Sequence, residues 1–84
     1  GRSAQSVFNK LLEEFNVSAS VFISSPGGHP VYKILDVYNN TSIFMELYDN
    51  SNAGYAWTIG FYIGPSNAQS SVDLSAKFKI RFDN

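Results

Sequence analysis

The hydrophobic period of this chain changes once, at Asn16, and this change limits the fold more than any other feature of the sequence. Before Asn16 the apolar side chains recur at positions i, i+3, i+4 and i+7, the spacing of one face of an α-helix. These residues are Phe8, Leu11, Leu12 and Phe15. After Asn16 apolar and polar side chains alternate, which is the period of a half-buried β-strand. The sequence therefore predicts an amphipathic helix followed only by strands.

Capping and turn residues set the predicted boundaries. Ser3 or Ser6 is suited to begin the helix and Asn16 to end it, so we place the helix at residues 4–16. Residues 1–3 are interpreted as a possible cloning scar. Segments rich in Pro, Gly, Asn and Ser divide the remainder, residues 17–84, into about five strands. The strands are predicted at residues 17–24, 31–38, 42–48, 55–63 and 71–82.

The connections between successive strands are short, which favours an antiparallel meander because parallel strands need long crossover connections. A length of 84 residues is that of a single small domain. The predicted fold class is therefore α+β: a short N-terminal amphipathic helix followed by an antiparallel meander of about five strands, curved or partly closed into a barrel or sandwich.

The chain has no cysteine and a single histidine, so neither a disulfide nor a protein-bound metal is expected to stabilise it. The core must come from packing alone, or a partner chain must supply part of it. A formal net charge of −1 lacks the basic footprint of a nucleic-acid-binding protein. No apolar run approaches the roughly 18 residues that a membrane-spanning helix needs. We therefore expect no nucleic-acid partner and no membrane insertion.

No catalytic motif is recognisable. The histidine, His29, follows a Pro-Gly-Gly turn, and the sequence predicts no partner for it as a general base. Asp36 and Glu46 fall on one predicted strand face, as a glycosidase pair would, but so small a domain leaves no room for a deep cleft. We expect no enzyme, no catalytic residue, no metal site and no cofactor. The basic row of Lys77, Lys79 and Arg81 is interpreted as protection of an edge strand.

The sequence contains more aromatic residues than one core requires. If odd-numbered positions of the second to fourth strands line the core, the opposite face remains apolar and aromatic. That face then carries Tyr32, Ile34, Tyr38, Phe44, Tyr48 and Tyr62. Three explanations are open: the chain covers this face itself, a second copy covers it, or it binds a ligand. Tyrosine suits the last two, because its hydroxyl tolerates partly wet interfaces.

Loops rich in Asn and Asp beside aromatic residues favour carbohydrate recognition, in which amides and carboxylates pair with sugar hydroxyls. The same residue types also form ordinary hairpin turns. The resulting candidate surface for a ligand or partner comprises Tyr32, Tyr38, Asn39, Asn40, Phe44, Tyr48, Asp49, Asn50, Asn52 and Tyr62.

The predicted function is a non-catalytic binding or assembly module. In the first hypothesis it is a homo-oligomeric head or tip domain of a fibre, adhesin or other surface protein, which contacts a glycan or a protein. An extracellular, virion-surface or cell-surface location fits that hypothesis. In the alternative it is a small intracellular inhibitor or adaptor that docks a protein partner through the aromatic sheet face.

Overall fold

A computed structural model of the chain describes residues 3–50 and 55–82. Helix α1 spans Ala4–Glu14, and a short 3-10 helix spans Ser71–Asp73. The strands are β1 Phe22–Ile23, β2 Pro30–Tyr38, β3 Thr41–Asn50, β4 Tyr55–Pro65 and β5 Ser75–Phe82. The predicted α+β class, with one helix and five strands, is confirmed.

The five strands form one sheet in the order β1-β2-β3-β4-β5, and every neighbouring pair is antiparallel. This is the predicted meander. β1 and β5 are the two edges of the sheet, so the sheet is open and does not close into a barrel. The first and last strands are shorter than predicted, because β1 holds two residues and the 3-10 helix takes the beginning of the predicted fifth strand.

Local capping explains the bounds of α1. The Ser3 hydroxyl accepts a hydrogen bond from the Ser6 N–H at 3.1 Å, as a helix N-cap does. At the other end Asn16 adopts a left-handed conformation with φ 60°, and the Val17 N–H donates to the Leu12 carbonyl at 2.9 Å. This is a Schellman-type ending, so Asn16 stops the helix as predicted.

The helix packs on one face of the sheet, which we call the helix face, and contacts β3 and β4. Phe8 meets Tyr32 edge to face, with ring centroids 5.5 Å apart. The buried core on this side comprises Ala4, Phe8, Ile34, Met45, Leu47 and Ile59. The helix alone would be marginal in water, and this apolar contact stabilises it.

The pairing of β2 with β3 determines which side chains of β2 reach the helix face. Tyr32 pairs with Met45, Leu35 with Ile43 and Tyr38 with Thr41, so the register shifts by one residue twice, between Lys33 and Leu35 and between Asp36 and Tyr38. Side chains that oppose one another across a ladder share a face. Tyr32 therefore lies on the helix face together with Met45, and Ile34 is in the same core. The prediction that Tyr32 and Ile34 lie opposite that core was wrong, because it assumed that odd-numbered residues of β2 and β3 share a face. The two-residue turn pairs Tyr38 with Thr41, so even-numbered residues of β2 oppose odd-numbered residues of β3 there and again at Tyr32.

The opposite side of the sheet, which we call the second face, is covered by the connection between β4 and β5. Ala68 of this connection is buried against Val31 and Phe44, and Leu74 packs on the same cluster. Phe22 and Tyr62 complete it. The chain itself therefore covers Phe44, and it does so with an irregular connection rather than with the helix.

A polar network holds the start of this connection on the sheet. The buried Ser42 hydroxyl donates to Asp36 Oδ1 at 2.6 Å and lies 2.6 Å from the Ser66 hydroxyl. Because the single proton of Ser42 is used on Asp36, Ser66 is the donor of the second bond. The Ser66 N–H donates to the Asn40 carbonyl at 2.6 Å, and Lys33 Nζ donates to the Ser66 carbonyl at 3.2 Å.

The substitution Thr58→Val is expected to stabilise the protein. The Thr58 side chain is fully buried, and its Oγ1 has no hydrogen-bond partner among the residues that the structure describes. A methyl group of similar size removes this unsatisfied hydroxyl, so the free energy of unfolding should rise by about 1 kcal/mol in urea denaturation. Thr41→Val is the control and should not stabilise the protein, because the Thr41 hydroxyl already donates to the Asn39 carbonyl at 3.3 Å. A loss of stability in Thr58→Val would contradict this account.

Candidate functional site

The second face carries a cavity of about 340 Å³ near the end of β3. The turn before β2 contributes Ser24, Ser25, Gly27 and His29 to its lining. The sheet contributes Glu46, Tyr48, Asp49 and Tyr62, and the β4–β5 connection contributes Ser71. Three parts of the chain that are distant in sequence therefore meet at this pocket, which is widely open to solvent.

Glu46 is the most buried charged group of this site, with 8% of its surface exposed. It lies in the middle of β3, opposite Val31 on one side and Gly60 on the other. The Tyr62 hydroxyl donates to Glu46 Oε1 at 2.9 Å. A buried carboxylate depends on such a bond, because its ionised form is costly to remove from water.

Gly60 makes this hydrogen bond possible. A Cβ atom at position 60 would lie 2.6 Å from Tyr62 Oη and 3.0 Å from its Cζ. The phenol ring of Tyr62 therefore lies over the bare backbone of Gly60 and reaches across to the Glu46 carboxylate. A side chain at residue 60 would occupy the position of the ring.

The environment keeps Tyr62 protonated. Burial raises the pKa of the Tyr62 phenol well above its usual range, and the negative charge and hydrogen bond of Glu46 raise it further. Tyr48 adds a smaller contribution in the same direction. Tyr62 therefore remains a hydrogen-bond donor to Glu46 under ordinary conditions.

The turn before β2 is closed by Ser24. Its N–H donates to the His29 carbonyl at 2.8 Å, and its hydroxyl accepts from the His29 N–H at 3.0 Å. The Gly28 N–H donates to the Ser24 carbonyl at 2.8 Å, and Gly28 has φ 74°, a conformation that favours glycine. These bonds place His29 Nε2 3.3 Å from Asp49 Oδ1, and the imidazole meets Trp57 edge to face at 6.2 Å.

The lining groups determine what the cavity can bind. Carboxylates, hydroxyls and one imidazole line it, and neither Lys nor Arg is among them. No group of three or more His, Cys, Asp or Glu side chains able to hold a metal ion occurs within residues 3–50 and 55–82. The site therefore presents two carboxylates together with hydroxyls that both donate and accept hydrogen bonds.

The structure brings three residues of the predicted ligand surface together in this cavity. Tyr48, Asp49 and Tyr62 all line it. Phe44 lies on the same face, but it is fully buried and offers no accessible surface. Glu46 and His29 are outside the predicted ligand surface, although both line this cavity. Nothing in their local sequence indicates that the turn before β2 meets β3.

The other predicted surface residues lie elsewhere. Tyr32 packs on Phe8 on the helix face. Tyr38, Asn39 and Asn40 line an open cleft of about 190 Å³ at the opposite end of β3. Asn50 ends β3, and Asn52 lies outside the described residues.

Asp36 and Glu46 do not form a carboxylate pair. Asp36 pairs with Ser42, which lies four positions before Glu46 on β3. Four positions correspond to about 13 Å along a strand, more than the roughly 6.5–9.5 Å that separates the carboxyl groups of an inverting glycosidase. The hydrogen bonds of the two acids also differ, since Asp36 accepts from Ser42 and Glu46 from Tyr62.

Comparisons with known proteins give no match: no protein-family model fits the sequence, and neither a curated protein nor a solved structure is significantly similar. Among the described residues, no helix has the length and apolar character required to cross a membrane. The functional interpretation therefore rests on the geometry of the chain itself.

The substitution Gly60→Ala is expected to break the Tyr62–Glu46 hydrogen bond. The added methyl group displaces the phenol ring and leaves the buried carboxylate without its donor, so the free energy of unfolding should fall by about 1–3 kcal/mol. Urea denaturation measures the loss. Tyr62→Phe removes the same bond without the steric conflict, so Gly60→Ala should cost more than Tyr62→Phe. If Gly60→Ala were at least as stable as the unmodified protein, the Tyr62 ring would not lie over residue 60.

The stability of the protein is expected to decrease above pH 10. The usual pKa of tyrosine is 10.0, and that of Tyr62 is raised in the folded state. Below pH 10 the phenol is protonated in both states, whereas above it the unfolded state loses the proton first, so stability falls as the pH rises. Between pH 8 and pH 11 the melting temperature of Tyr62→Phe should fall less than that of the unmodified protein. The control is Tyr38→Phe, at a side chain that is 71% exposed, and its melting temperature should fall as much as that of the unmodified protein.

Proposed function

We propose that this chain is a non-catalytic binding and assembly module that associates with a second copy of itself. The observation that carries the proposal is an exposed apolar strip on the helix face, formed by Trp57, Phe61, Phe78 and Ile80. Phe78 is 58% exposed and Ile80 37% exposed, although both belong to the face that forms the main core. Contiguous apolar surface of this kind marks an interaction site in small proteins.

The geometry of the helix explains why the strip is uncovered. A helix is about 10 Å wide, and strands are about 4.8 Å apart, so one helix covers about two strands. The helix makes its main sheet contacts with β3 and β4 and also reaches Tyr32 of β2. Its extent accounts for the exposure of the strip residues on β5, Phe78 and Ile80.

The strip is ordered by its own contacts. The Phe61 and Phe78 rings are stacked, with centroids 4.5 Å apart and planes inclined by 13°. Ile80 opposes Ile59 on the neighbouring strand, which belongs to the buried core. The strip is thus a continuous extension of that core to the surface, and a second strip packed against it would continue the core.

Two copies are expected to associate by packing of their helix faces rather than by pairing of their β5 edge strands. β5 is an edge strand, and in principle it can pair with β5 of another copy. On its second face it carries Lys79 and Arg81, which oppose Gly60 and Thr58. Antiparallel pairing of two β5 strands would bring these positive charges opposite one another, which is destabilising. The basic residues thus disfavour pairing of two β5 strands, as expected for a protected edge, and the strip is the surface through which we propose that two copies make contact.

Sedimentation equilibrium across the micromolar range tests the proposal. The unmodified protein is expected to form a reversible dimer, and Phe78→Ser should weaken the dimer at least about tenfold, because a large buried aromatic residue is lost from the interface. Val72→Ser is the matched control, since Val72 is 89% exposed in the β4–β5 connection, away from the strip.

A monomer at every concentration would contradict association with a second copy. A protein captured through the same strip would then support the adaptor hypothesis. Contact with a glycan through the loops stays a prediction, which a glycan array tests.

A further inference from the structure

We draw no further inference here: the strongest candidate, the outer edge of β2 at residues 32–38, which pairs with no strand among the described residues and exposes Leu35, Val37 and Tyr38, is interrupted by two register shifts, and nothing in the structure shows what covers it.

Discussion

The central strand β3 is buried on both of its faces, and the rest of the molecule depends on this constraint. Phe44 and Met45 are neighbours in sequence, point to opposite faces of the sheet, and are both fully buried. A sheet with apolar residues on both faces needs a cover on each side. The chain supplies two different covers, the helix on one side and the irregular β4–β5 connection on the other.

Neither cover extends over the whole sheet. The helix leaves Phe78 and Ile80 of β5 exposed, and the connection leaves an open pocket beside Glu46. The core does not need a carboxylate at position 46, because apolar residues in place of buried charged groups are often neutral or stabilising. Glu46, its donor Tyr62 and the bare backbone of Gly60 together form a polar arrangement that packing alone does not explain.

The two surfaces differ in chemistry and lie on opposite sides of one thin sheet. The strip continues the main core, and its stacked Phe61 and Phe78 rings offer shape and apolar area. The cavity offers two carboxylates and several hydroxyls, and a closed turn holds His29 beside it. Among the described residues, the two surfaces meet only at His29, which lines the cavity and contacts Trp57 of the strip edge to face.

The sequence by itself determined the elements and many of their ends. Helical spacing, the Ser3 cap, the left-handed Asn16 and the Asn39-Asn40 turn all act between near neighbours, so the helix and the antiparallel meander were predictable. The tertiary structure alone decided the faces and the site. The pairing of β2 with β3 placed Tyr32 opposite Met45 on the helix face, the connection folded back over Phe44, and the turn brought His29 to Asp49. The physical reason is that pairing register and loop closure depend on contacts between residues far apart in the chain, which local periodicity does not record.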